Sequence, residues 1–101
     1  MLEGLDKVNW RALRHVYGSA EDIPDLLRTI VEARDEDVQN KACDDLVNSI
    51  NHQGTLSNAT AATVPFLIQM LSNTTFTKRT WILDTFIYLM QSCNEQVKSY
   101  Y

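Results

Sequence analysis

Glycine, proline, cysteine and histidine are all scarce in this chain, with 3, 2, 2 and 2 copies among 101 residues. So little Gly and Pro excludes collagen-like and low-complexity chains, and two cysteines are too few for a disulfide scaffold. Cys43 and Cys93 stand fifty positions apart, outside any CxxC or Cys/His spacing and among helix-forming apolar residues. Both read as reduced core thiols. Basic residues are in deficit too, 9 against 13 acids for a net charge of -4. That removes the electrostatic footprint which phosphate-backbone binding requires, so nucleic acid is not expected as a partner. A long apolar run is also missing. The stretch with fewest charges, Ser57 to Phe76, contains Asn58, Thr60, Thr63, Pro65 and Gln69 and is too polar to span a bilayer. Met1 to Asn9 carries Glu3 and Asp6 in place of an apolar run. No membrane contact and no signal peptide are expected, and a cytoplasmic protein follows.

What remains is an ordinary globular composition, 45% hydrophobic and 22% charged. A chain of this length has room for one domain, and for its mass about two thirds of the unfolded surface can be buried. Strand alternation is absent, whereas apolar residues recur three and four apart. The predicted fold class is all-α. Trp10, Leu13 and Tyr17 predict a short leading helix stopped by Gly18 in a left-handed conformation. Ser19 is the expected N-cap of a second helix, Ala20 to Ala33, with Asp22 in the capping-box position, Pro24 in the first turn, and Ile23, Leu26, Leu27 and Ile30 buried. Asp35, Glu36 and Asp37 open a third helix, where the macrodipole favours acids, with Val38, Ala42, Leu46, Val47 and Ile50 as its apolar stripe. Beyond His52-Gln53-Gly54-Thr55, Ser57 or Asn58 caps a fourth helix that contains Pro65 and buries Val64, Phe66, Leu67, Ile68 and Leu71. A turn at Asn73 to Thr75 leads to a fifth helix, Thr75 to Cys93, and the tail from Asn94 adds a last turn or frays.

An offset of 41 lays Ile23-Pro24 on Val64-Pro65, Leu26-Leu27 on Leu67-Ile68, Ile30 on Leu71, Ala42 on Leu83 and Leu46 on Ile87. A period near 40 built of two helices is the signature of HEAT or armadillo units. Tyr17 to Leu27, His52 to Thr55 and Ala59 to Leu67 resemble small bacterial HEAT-like repeat proteins, and the likeness covers roughly Trp10 to Met90. The resemblance implies a short α-solenoid of about two helix pairs plus a leading helix in a single domain, 1–101: leading helix 1–18, first repeat 19–53, second repeat and tail 54–101. Relatives of that kind usually carry more repeats. Most have no established biochemical role, and some resemble the immunity partners of bacterial toxins.

Catalytic chemistry finds little support. His15 reads as a surface or loop-capping imidazole and His52 opens the turn between repeats; neither sits in HxxxH, HxxE or beside a Cys pair, so no metal is expected. Ser19 and Ser57 fit capping and stand in no nucleophile elbow. Gly18 and Gly54 are isolated, so no phosphate-cradling loop exists. No enzyme and no cofactor are expected. The turn at His52 and Gln53 is a candidate loop site; the structural alternative is that Gly54 supplies a positive φ while Gln53 and Thr55 satisfy helix ends.

Charge divides unevenly along the chain. Residues 1–50 hold 11 acids and 6 bases, a balance of -5; residues 51–101 hold 2 acids and 3 bases, a balance of +1. On the third helix Asp37, Lys41, Asp44, Asp45 and Asn48 fall away from the apolar stripe as an acidic strip, either a binding surface or a solvated face. The fifth helix has Ile82, Leu83, Phe86, Leu89 and Met90 as a core stripe, yet Trp81, Thr85 and Tyr88 form a second face with few charges. A helix apolar nearly all round is normally covered on both sides. Its cover is the tail with Val97, Tyr100 and Tyr101, a second copy, or another protein; a homodimer is favoured because homodimers are the commonest oligomers. The function expected is protein–protein interaction by occupancy, with Asp37, Asp44 and Asp45 orienting the partner and Trp81 and Tyr88 as anchors. A structural homodimer and a small-molecule binder using the His52 turn or a dimer cleft are the alternatives.

Overall fold

The computed structural model describes residues 2–15, 17–52 and 55–98, the side chains of residues 52, 55 and 94–98 excepted. Two antiparallel helical pairs dominate it. Helix α1, Ile23–Glu32, packs on α2, Glu36–Ile50; helix α3, Asn58–Ser72, packs on α4, Arg79–Lys98. Each pair is preceded by a small antiparallel hairpin of two-residue strands: β1 (Arg14–His15) with β2 (Gly18–Ser19), and β3 (Asn51–His52) with β4 (Thr55–Leu56). Strands this short carry no alternation to read. The predicted all-α class therefore holds for the bulk of the chain and misses both hairpins.

The leading helix does not form. Residues 2–13 hold two 3₁₀ turns, Leu5–Lys7 and Trp10–Ala12, and then enter the first hairpin. Eight residues cannot sustain an isolated helix, and tertiary partners offer more. The Trp10 indole N–H donates to the Leu5 carbonyl at 3.0 Å, and its ring lies 5.8 Å from that of Phe66 in α3. The backbone of Glu3 exchanges two hydrogen bonds with the Gln69 side chain, at 2.8 and 2.9 Å. Asp6 pairs with Arg28 of α1. The segment is thus a strap across the first helices of both pairs. Tyr17 departs from the predicted helical face and is 64% exposed, while Gly18 takes φ 129° in the hairpin.

Ser19 does not cap α1 either. Its hydroxyl donates to the Arg11 carbonyl at 3.1 Å, and a 3₁₀ turn at Ala20–Asp22 delays the helix to Ile23. Asp22 is drawn off to His15. That imidazole is buried, with Nε2 2.8 Å from Asp22 Oδ1 and Nδ1 accepting the Tyr17 N–H at 2.9 Å. It caps a loop as expected, yet it lies inside the fold.

Helix ends and core close on each other. Asp35 caps α2 through the Asp37 N–H at 2.8 Å, and buried Gln39 donates to the Ile30 carbonyl in the last turn of α1 at 2.7 Å. Ser57 caps α3, and the Thr60 hydroxyl both accepts the Ser57 N–H and donates to the Ile50 carbonyl at 2.6 Å. Ile23, Leu27, Ile30, Leu46, Ile50, Leu67, Met70 and Ile82 are fully buried between the layers.

Burial also corrects the offset at which the two pairs correspond. The first helices match at an offset of 40, Ile23 on Thr63, Leu27 on Leu67 and Ile30 on Met70; the second helices match at 43, Gln39 on Ile82, Ala42 on Thr85, Leu46 on Leu89 and Ser49 on Ser92, all buried. Ser49 and Ser92 even share a bond, each hydroxyl donating to the carbonyl four residues earlier. Three extra residues in the α3–α4 turn, 73–78 against 33–35, account for the change. At 41, buried Ala42 and Leu46 would fall on exposed Leu83 and Ile87. Val38, Ile68, Leu83 and Met90, predicted as core, are likewise exposed, and Cys93 is an exposed thiol whereas Cys43 is buried.

Candidate interaction groove

Helices α2 and α4 line the two sides of a groove of about 370 Å³, bordered by Asp44, Val47, Asn48, Trp81, Asp84, Thr85 and Tyr88. Its width is set by a clamp at each end. At one end the Lys78 ammonium donates to Asn40 Oδ1 at 2.7 Å and lies 3.6 Å from Glu36. At the other, buried Asn51 accepts from the Ser92 hydroxyl at 3.0 Å and donates to the Tyr88 carbonyl at 3.4 Å. The Asn51 and Ser92 side chains of this second clamp are buried, so the hydrogen bond between them holds the helices at a fixed distance.

The groove floor is Thr85, buried, with its hydroxyl donating to the Trp81 carbonyl at 2.8 Å. Sequence pattern places Thr85 outward. A threonine that satisfies its hydroxyl on its own helix can be buried at small cost, which hydropathy does not register. Trp81 is half-buried and Tyr88, about two turns along, is 40% exposed. Asp44 and Asp84 face the groove from opposite helices, and neither has an ion-pair partner among the described residues.

Of the residues singled out from sequence, Asp44, Trp81 and Tyr88 therefore meet. Asp45 and Asp37 do not join them. Asp45 is paired with Lys41 at 3.0 Å and borders a separate concavity of about 340 Å³ with Tyr17, Asp22, Leu26, Asn48 and Ser49. Asp37 is exposed in the first turn of α2, where it belongs to the cap of Asp35. Successive residues of a helix point about 100° apart, so Asp44 and Asp45 border different hollows and the acidic strip is split. His52 has its backbone in β3, its side chain lies outside the described residues, and Gln53 lies outside them altogether. Asp84, Val47 and Asn48 complete the groove; Asp84 could have been found from its spacing, three after Trp81 and four before Tyr88.

Buried beneath the groove, Cys43 has its thiol pushed up to about 11, by loss of water first, with the Lys78 charge opposing and that of Asp44 adding. Such a thiol stays protonated and inert. Among the described residues no group of three or more His, Cys, Asp or Glu side chains could hold a metal ion, and no buried side-chain polar atom lacks a partner. No helix among them is long and apolar enough to cross a membrane. Comparison of the chain with known protein families, curated proteins and solved structures found no match.

Proposed function

We propose that this chain is a non-catalytic binding module of HEAT-like helical pairs, acting in the cytoplasm, and that the α2–α4 groove takes a basic segment of a protein partner. The observation that carries the reading is the groove itself: two carboxylates without ion-pair partners among the described residues, flanking an aromatic pair between rigidly clamped helices. Trp81 and Tyr88 offer amphipathic contact area that needs little ordering, and Asp44 and Asp84 supply attraction and orientation. The balance of -5 over residues 1–50 extends the same field over the approach to the groove. Function is then by occupancy, and the resemblance to immunity-type proteins fits a basic partner such as a nuclease, whose own site prefers polyanions.

A fluorescein-labelled peptide alternating arginine and leucine tests this. Binding is expected at 50 mM salt and to weaken several-fold at 300 mM. Asp44→Lys combined with Asp84→Lys should weaken it at least tenfold, and Trp81→Ala comparably, whereas Asp37→Lys should change it little. Absence of binding, or binding untouched by the double variant, overturns the groove as the site.

A further inference from the structure

Each second helix of a pair turns one stripe toward whatever lies behind it. On α2 that stripe is Asn40, Cys43, Asp44, Val47 and Ile50. Asn40 accepts from Lys78, Asp44 and Val47 border the groove against α4, and Cys43 and Ile50 are buried. The burial patterns of α2 and α4 coincide at an offset of 43, so the same stripe on α4 is Leu83, Phe86, Ile87, Met90 and Cys93. Behind α2 stands a second pair; no third pair stands behind α4 among the described residues. Leu83, Ile87 and Met90 are 50, 55 and 65% exposed, Phe86 is half-buried and Cys93 is exposed. The stripe without a neighbour is thus more apolar than the one that has one. Helix α4 itself continues unbroken to Lys98, so residues 94–98 do not fold back over it as a cover.

We propose that this rear stripe of α4 seats a second copy of the chain, which presents the same stripe of its own α4 across a two-fold axis. The occupant follows from what the two ends of the molecule carry. The front stripe of α2, facing away from the second pair, is Val38, Lys41 and Asp45, the counterparts of Trp81, Asp84 and Tyr88 at the same offset. Lys41 and Asp45 are ion-paired there at 3.0 Å, and Asp37 stands exposed beside them. Stacking front on rear would strip water from these charges against Leu83 and Met90, which offer no hydrogen bonds. Rear on rear meets no such penalty. From residue 80 to 93 the sole charge of α4 is Asp84, and that residue lines the groove on the other side. A two-fold contact is self-complementary and closes after two copies, whereas a front-to-rear contact would run on into a filament. The stripe from Leu83 to Cys93 gives a seam roughly 16 Å long. The interface differs from a dimer built on Trp81 and Tyr88, since those side chains face α2, and it leaves the groove of each copy open.

Sedimentation velocity of the full chain from 1 to 200 µM decides the matter. A species of twice the 11.6 kDa chain mass is expected, dissociating on dilution and insensitive to salt between 50 and 500 mM. Leu83→Lys with Met90→Lys, both solvent-exposed positions, should shift the monomer–dimer midpoint at least tenfold while keeping a cooperative melt and the affinity for the arginine–leucine peptide. Val38→Lys should leave the dimer intact. A monomer at 200 µM, a dimer indifferent to the double lysine variant, or a dimer lost in Val38→Lys overturns the proposal, and none of these outcomes bears on the groove.

Discussion

The two helical pairs share an order of elements and a buried register, and they differ in what they show to water. In the first pair exposed positions carry charges that are partly mutually satisfied, Arg28 with Asp6 and Asp25, Lys41 with Asp45. In the second, α3 has no charged residue at all, and Ile68, Leu83, Ile87 and Met90 lie exposed. The difference teaches that interior packing and surface chemistry are set independently. The same stripe that is buried on both α2 and α4 is built of Gln, Ala, Leu and Ser in one and of Ile, Thr, Leu and Ser in the other. At no matched position do the outward stripes of α2 and α4 carry the same residue, and they are suited to different neighbours. Surface pairs such as Lys41 with Asp45 contribute little to stability, so the first pair's charges concern solubility and approach more than folding.

Substituting one inward and one outward residue at matched chemistry would sharpen this contrast most. Leu27→Ala, at a fully buried site of the first pair, should lower the unfolding free energy by about 2 to 5 kcal/mol in urea titrations. Ile68→Ala, on the outer side of the second pair, should stay within about 0.5 kcal/mol. Equal losses would mean that the outer face of α3 is covered.

The two thiols offer a second contrast. Burial raises the Cys43 thiol from 9.0 to about 11 in the folded chain, so the folded state holds that proton more tightly than the unfolded one. Its contribution is fully present below about pH 9 and is lost as pH rises toward 11, amounting to about 2 kcal/mol. Urea unfolding at pH 8 and 10.5 should show this loss, and Cys43→Ala should remove it. Native-state labelling with a maleimide at 1 µM chain, where copies joined through α4 have dissociated, should mark Cys93 within minutes and Cys43 only on unfolding. Rapid labelling of both would contradict the burial of the first.

The clamps that join the pairs come last in size. Asn51→Ala removes both bonds that tie this end of α2 to α4, leaving the Ser92 hydroxyl and the Tyr88 carbonyl only each other, and should cost about 1.5 kcal/mol. Lys78→Met, which breaks the contacts with Asn40 and Glu36 nearer the surface, should cost under about 1 kcal/mol. Reversal of that order, read from melting curves, would place the stronger link between the pairs at the Lys78 end.

Much of the helical framework was legible in advance. The acidic start of α2 at Asp35 to Asp37, a cap of α3 at Ser57 or Asn58, which proves to be Ser57, the Pro24 first turn, and the buried Ile23, Leu27, Ile30, Ala42, Leu46 and Ile50 follow from local rules whose partners lie within a turn of the chain. The candidate site was legible in part, because Asp44, Trp81 and Tyr88 could be flagged by type, while their meeting across a groove with Asp84 depends on how two helices forty residues apart are clamped. The exposed Leu83 and Met90 were misread as core because hydrophobicity reports a preference for burial without saying whether anything is available to provide it.

Residue order alone determined that this chain forms helices and where their turns come, since hydrogen bonds and apolar spacing within ten or fifteen residues suffice for that. Only the tertiary structure decided that Trp10 is bound into a strap and not a helix, that His15 is drawn inside to Asp22 and Tyr17, and that Thr85 faces inward while Ile87 faces out. In each case the deciding partner lies on a different element, and a side chain's local preference yields to a hydrogen bond or a packed surface it can reach only once the pairs have docked.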